Sequence, residues 1–522
     1  MKTIFKIIFI LFAMSHTVVF GQRSAAEIEM KGGKAQHVFS ASDTYGNIAY
    51  IFQESKSLQI SILDANYAIK NEFLINRAET EKKNEVIGAT LSAQNVVVYL
   101  YDAKERNLAS LVVDRFNGNH KFNSSIGSID KAEYIMKSFE MNGVFYSVVI
   151  PQHKNAVLLF SSVEGADYKI RNYEVNFPTF YAKLSSNNEE LNQQTTTPVG
   201  IEKISYDLEN NIKSSYPTKK MYTYDNKIYM TFEEPSHTHL VIIDPSSINA
   251  IYRKLNFSLD KDKSGNENIP RQGNSFLYKG NLFRATFNSS QLNLIVVNLN
   301  SMELLKSYNI FPDQEISFIN GVIKEDGNDI QDRLIKNTQQ YFKKIHKGQL
   351  AIAVNDLNDG QYEIELGAYE EVVTFRNSSM GGYPMSSGIS FGMGGGMGMG
   401  MGGMGIGMGG MGMGMGMGGM GMGYGGMGMG GYPGYYPYGS SSGGSSTSIR
   451  ATYFQSLLRT EDLSHTEGNV PKTIRSKVND YEQEVLKNTN PELFNVIPAY
   501  NGLILGYYFK GRSKYMLVEF KR

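Results

Sequence analysis

The sequence predicts a mostly β protein, a propeller of seven blades, and three observations carry that expectation. A turn pair of glycine or polar residues followed by an apolar strand recurs seven times in the 522 residues, each time with a second turn and a second apolar strand behind it. Many of the second strands, such as Leu294-Ile295-Val296-Val297, are apolar on both faces, the pattern of strands covered on two sides. Two of the intervals between units are 48 residues, within the ~40–50 residues of a four-stranded blade.

The first strands start at Ile48 (after Gly46-Asn47), Val96 (after Gln94-Asn95), Val144 (after Asn142-Gly143), Ile228 (after Asn226-Lys227), Leu282 (after Gly280-Asn281), Leu350 (after Gly348-Gln349) and Leu503 (after Asn501-Gly502). Their spacings are 48, 48, 84, 54, 68 and 153. The partner strands are 58–63, 109–113, 157–160, 240–243, 294–297, 362–366 and 516–520, several closing on Asp64, Asp114, Asp244 or Asn298. The long intervals have visible causes: a polar stretch around 187–211, a helix, and a Met/Gly tract with another helix. The last unit stops after its third strand, and residues 26–30 ahead of the first unit are expected to supply the missing outer strand and close the ring. The alternative architecture is two β-sandwich domains divided near residue 200.

Two helices interrupt the repeat. Residues 329–347 place Ile330, Leu334, Tyr341, Phe342 and Ile345 on one face and stop at Gly348; residues 471–487 start with Pro471 in the first turn and place Ile474, Val478, Tyr481 and Val485 on one face. Each precedes a first strand, so both are expected to pack over the ring and cover core.

Composition excludes several function classes. With 51 Lys+Arg against 51 Asp+Glu there is no broad basic footprint for nucleic acid, and no nucleic-acid partner is expected. No cysteine means no disulfide, thiolate metal site or cysteine nucleophile. Residues 1–21 read as a signal peptide: Lys2 and Lys6, an apolar run from Ile7 to Ala13, and cleavage after Val19-Phe20-Gly21, leaving 49 basic against 51 acidic residues. The expected address is therefore exported, periplasmic or extracellular and cell-surface, and no other stretch reads as a transmembrane helix.

The domain plan is then a signal peptide at 1–21, blades one to six at 22–376, a flexible insertion at 377–448, and the last blade with its helix at 449–522. Residues 377–449 carry no charge, and the window 380–444 holds 31 glycines and 16 methionines. So much glycine makes regular structure entropically costly. The β-like runs 372–375 and 449–454 flank the tract, which reads as inserted into a β structure.

Thioether sulfur is soft and neutral, suited to Cu(I) or Ag(I). Met397, Met399 and Met401, and Met411, Met413, Met415 and Met417, form M-x-M runs whose intervening glycines allow sulfurs to converge. These runs resemble the Met-rich segments of bacterial copper-handling proteins and copper transporters, which implies a Cu(I) site. The same tract, ending in Tyr-rich 431–438, also makes an adaptable apolar surface for a protein partner such as an outer-membrane or envelope protein.

Other motifs carry less. Gly388-Ile389-Ser390-Phe391-Gly392 has the letters of a nucleophile elbow without its strand and helix. His237-Thr238-His239 puts two imidazoles on one side of a strand near Glu233 and Glu234, a beginning for zinc, but the sequence identifies no third ligand and a turn between strands is the expectation. Asp260 and Asp262 start a calcium-like loop whose twelfth position is Arg271 in place of a bidentate Glu, so a polar turn is expected and Ca2+ is not. Asp356-Leu357-Asn358-Asp359-Gly360 reads as a turn between adjacent strands. With no coherent catalytic set, the expected function is an exported, non-catalytic propeller that binds or scaffolds protein at the cell envelope. The alternatives are soft-metal binding by the Met tract and an enzyme whose Asp64, Asp114 and Asp244 meet at one end of the ring.

Overall fold

The computed structural model describes residues 22–33, 35–80, 84–185, 200–206, 208–261, 265, 268–327, 333–375, 445–481, 485–486, 491–499, 502–509 and 513–521. The strands form seven sheets of four or five. After β1 (Gln22–Glu29), blade 1 contains β2 (Ala35–Ser42), β3 (Ile48–Glu54), β4 (Ser57–Leu63) and β5 (Ile69–Asn76). Blade 2 contains β6 (Glu85–Leu91), β7 (Asn95–Asp102), β8 (Asn107–Asp114) and β9 (His120–Ser128); blade 3 contains β10 (Glu133–Met141), β11 (Val144–Pro151), β12 (Ala156–Val163) and β13 (Lys169–Glu174). Helix α1 (Phe180–Ser185) leads to blade 4, formed by β14 (Glu202–Ile204), β15 (Lys219–Tyr224), β16 (Lys227–Glu234), β17 (His237–Ile243) and β18 (Ala250–Asn256), with α2 (Ile212–Ser215) between its first two strands. Blade 5 is β19 (Gln272–Tyr278), β20 (Asn281–Phe287), β21 (Leu292–Asn298) and β22 (Leu304–Ile310).

Blade 6 draws on β23 (Ile323–Gly327), β24 (Arg333–Ile335), β25 (Gln349–Asp356), β26 (Gln361–Phe375) and β27 (Ser445–Arg459), with α3 (Thr338–Lys347) preceding β25. Its spatial order is β24-β23-β27-β26-β25, so the outer positions are filled from upstream chain. Helix α4 (Ile474–Tyr481) precedes blade 7, which contains β28 (Glu492–Ala499), β29 (Gly502–Phe509) and β30 (Lys514–Lys521). Strand β1 completes blade 7, pairing antiparallel with β30 from Gln22↔Phe520 to Glu29↔Lys514. The architecture is a seven-bladed β-propeller, not two sandwiches.

Burial follows position in the blade. β3 and β4 are buried at every residue because blades cover both of their faces, whereas the rim strand β5 is mostly exposed. The repeating strands identified in the sequence are β3, β7, β11, β20 and β29, each second from the inner end of its sheet, β16, which is third because β14 lies inside β15, and β25, which is innermost. Apolar clusters join successive blades: Ile51, Ile60 and Val98 between the first two, Tyr99, Phe145 and Phe160 between the next, and Tyr50, Phe52 and Tyr515 between the seventh and first.

The first expected helix is shorter than its apolar spacing implies. Asn337 caps α3 by accepting from Gln340 N, and Tyr341, Phe342 and Ile345 are buried, but Leu334 belongs to β24 and is exposed. Ile330 lies outside the described residues. In α4, Ile474, Val478 and Tyr481 are buried against blade 7, while Val485 beyond it is exposed. Among the described residues no helix is long and apolar enough to cross a membrane.

Candidate functional site

A segment of the chain, the plug, stands inside the inner strands of the ring. β14 pairs in parallel with β15, the innermost regular strand of blade 4, and therefore stands inside it, in the channel. Beyond β14 the chain crosses to blade 6, where Asn210 N donates to Asn355 Oδ1 at 2.7 Å and Asn355 Nδ2 donates to Asn210 O at 2.8 Å. Tyr216 then stacks on Tyr369 with ring centroids 3.9 Å apart. Asn274 of blade 5 holds the same segment by donating to Tyr216 O.

Beside this plug lies a cavity of about 730 Å3, lined among others by Ser40, Lys137, Glu140, Glu202, Glu209 and Arg475. Burial raises the Glu202 carboxyl above its ordinary range, and Lys137 opposes that shift. Glu209 accepts from Ile474 N and Arg475 N at the start of α4. Farther from the axis, Glu363 and Glu365 share the face of β26 opposite Ile364 and Leu366, which pack in the core toward blade 5. Glu363 accepts from Asn355 Nδ2 and Gln455 Nε2, and Glu365 accepts from Ile212 N of α2. Burial pushes both carboxyls well up; the charge of Glu365 adds to the rise at Glu363, and Arg475 moderates the rise at Glu365.

A second cluster sits at the β16–β17 hairpin, where Pro235 and Ser236 form the two-residue turn. Glu234 pairs directly with His237 and Glu233 with Thr238, so the period-two alternation separates the four side chains onto two faces. On one face, Glu233 forms a fully buried ion pair with Arg284 of blade 5 and also accepts from Ser275 and Thr238. Gly273 permits that pair, because a Cβ there would collide with the Arg284 guanidinium. On the other face, Glu234, His237 and His239 converge with ligand atoms all within 4.8 Å of one another. Burial lowers the pKa of both imidazoles, with Glu234 opposing that shift. Glu234 joins the two imidazoles through cross-strand register, while Glu233 is committed to Arg284.

The other sequence candidates are dispersed. Asp64, Asp114 and Asp244 lie in different blades and do not meet; each Oδ1 accepts backbone N–H groups of its own turn, from Asn66 and Ala68, Phe116 and Asn117, and Ser246 respectively. They end strands because a short carboxylate satisfies the turn. Asp260 Oδ2 accepts from Gln291 Nε2 and Asn309 Nδ2, which occupies it in linking polar side chains. The turn at Asp356 joins β25 to β26, with Asn358 N donating to Asp356 Oδ1. Asp262, the elbow-like Ser390 and Met397, Met399, Met401, Met411, Met413, Met415 and Met417 lie outside the described residues.

Fold and clusters together define a propeller whose channel takes in an internal segment and whose polar clusters lie against that segment and at one hairpin. No protein-family model and no curated protein matches the chain. Solved structures similar to it include a subtype N10 neuraminidase-like protein of A/little yellow-shouldered bat/Guatemala/060/2010, 9% identical over 66% of this chain and 95% of that one, TM-score 0.26. A streptogramin B lyase is 12% identical over 66% and 94%, TM-score 0.25, and the Dos1 propeller 10% identical over 66% and 83%, TM-score 0.27. The fold assignment rests on the strand order of the seven sheets.

Proposed function

We propose that the protein is an exported, non-catalytic propeller of the cell envelope that binds a protein partner, with the Met/Gly tract contacting apolar surface on that partner. One observation supports the reading above others: β26 and β27 pair over 15 residues each, to Phe375↔Ser445, about twice the length of the other strands. An extended hairpin of this kind delivers the chain at residue 375 and recovers it at 445, so the tract interrupts the blade without interrupting its pairing. Apolar, adaptable methionines suit contact with varied hydrophobic surface.

The test replaces residues 380–444 by a short Gly/Ser linker and compares capture of envelope proteins by the full and shortened chains. The shortened chain is expected to keep its thermal midpoint and lose its principal captured partner. Equal capture by both chains overturns the reading. Cu(I) retained by the full chain alone, with equal capture, replaces it by soft-metal binding at the M-x-M runs.

A further inference from the structure

We propose that Glu234, His237 and His239 form a zinc site, with Glu234 Oε2 and the two imidazole Nε2 atoms as ligands and a fourth position open to solvent. Two nitrogens and one carboxylate oxygen are a donor set for a borderline divalent ion, and three protein ligands leave room for a water. His237 Nε2 is 2.7 Å from Glu234 Oε2, and His239 Nε2 is 3.3 Å from Glu234 Oε1. Zinc bonds of about 2.0–2.1 Å in a tetrahedron set neighbouring ligands about 3.3 Å apart, and the three ligand atoms, all within 4.8 Å of one another, reach that spacing by shifts of at most about 1.5 Å.

The surroundings already orient these ligands. His237 Nδ1 lies 3.1 Å from Ser236 Oγ, and His239 Nδ1 lies 2.9 Å from Tyr252 Oη. Each ring thus has a hydroxyl partner for the Nδ1 proton that metal binding through Nε2 requires. His239 is further fixed by stacking on Phe177, ring centroids 4.3 Å apart. His239 is 7% exposed, His237 15% and Glu234 26%, so the site has rigid inner ligands and an approach from solvent. Lys183 also pairs with Glu234 Oε1. That ammonium leaves Oε2 for the ion and, as a neighbouring positive charge, weakens the affinity.

The experiment uses the full chain, stripped with a chelator and carrying no histidine tag. Zn2+ binding is followed by calorimetry and Co2+ binding by visible absorption. The expected result is one saturable site and a Co2+ spectrum of four-coordinate type. H237Q and H239A, checked for native circular dichroism, are expected to lose at least about 100-fold in affinity. Y252F, which keeps the ring and removes the hydroxyl, is expected to lose about tenfold. K183M is expected to bind up to about fivefold more tightly, since it removes a partly exposed competing charge. Absence of saturable binding, or binding unchanged in both histidine variants, overturns the proposal. So does a six-coordinate Co2+ spectrum. Deletion of 380–444 is expected to leave the site intact; loss of Zn2+ binding on that deletion overturns the assignment to the hairpin.

Discussion

Blades 2 and 3 meet through a side-chain stack in which Tyr99 lies flat on Phe145, centroids 3.9 Å apart, with Phe160, Ile87 and Val149 buried around them. Blades 6 and 7 share no such cluster among the described residues. α4 and Leu208 pack on blade 7, Ile212 of α2 packs on blade 6, and the polar set Asn210, Asn355, Glu363, Glu365 and Gln455 lies on the face of blade 6 that α2 covers. The difference shows how a repeat accepts foreign chain. A stacked interface leaves no room for an inserted segment, whereas an interface built with one must bring in a backbone whose N–H and C=O groups need partners. Asn355 supplies both partners for Asn210, and Glu365 supplies one for Ile212.

Phe145→Ala removes a fully buried ring from the Tyr99 stack and is expected to cost about 3–5 kcal/mol, read as a lower urea midpoint. A loss under about 1 kcal/mol would show that blade stacking there is not what holds the ring. On the polar side, Asn355→Ala leaves Asn210 N and O unpaired and is expected to cost about 2 kcal/mol. Limited proteolysis should then cut faster within 200–216; an unchanged cleavage pattern would mean the plug is held by its other contacts.

The smallest effect concerns pH. A carboxyl whose folded pKa lies above its unfolded value contributes stability below the unfolded value and loses it as pH rises through the folded one. Glu363 and Glu365 both carry that sign, so together they lower the thermal midpoint as pH rises through their raised folded values. Glu365→Gln removes one of these titrations and is expected to recover about 1 kcal/mol at pH 9 relative to pH 5, a modest figure because Glu365 is half-buried. An identical pH slope in the variant would show that Glu365 ionises freely in the folded protein.

Legibility from sequence tracked the distance from the axis. The second and third strands announce themselves because both faces are apolar, as in β7 and β8. Inner strands such as β19, Gln272-Gly273-Asn274-Ser275 at its start, are masked by polar residues that bind the plug and the neighbouring blade. The expected helix over 329–347 failed in its first half because Leu334 matches helical spacing yet pairs with Lys324 across β23 and β24. Asn337 was the better marker of the true start. The hairpin cluster was half legible: His237 and His239 share a face by spacing alone, but choosing Glu234 over Glu233 requires the cross-strand register. Glu363 and Glu365 carried a signal of their own, two acids alternating with the apolar Tyr362, Ile364 and Leu366. The plug carried none, since its partners lie more than a hundred residues away in Asn355 and Glu365.

The β1–β30 pairing sets a timetable for folding. Gln22 faces Phe520, so blade 7 is the one sheet whose four strands come from opposite ends of the chain, while each other blade gathers its strands from a single stretch. Contacts across so large a loop carry the highest closure entropy in the molecule and form after the local hairpins. The clasp between β30 and β1, with Lys514 and Glu27 paired across it, is therefore expected to seal last, and its hydrogen bonds turn an open arc of blades into a closed ring in which β1 is the outer strand of blade 7.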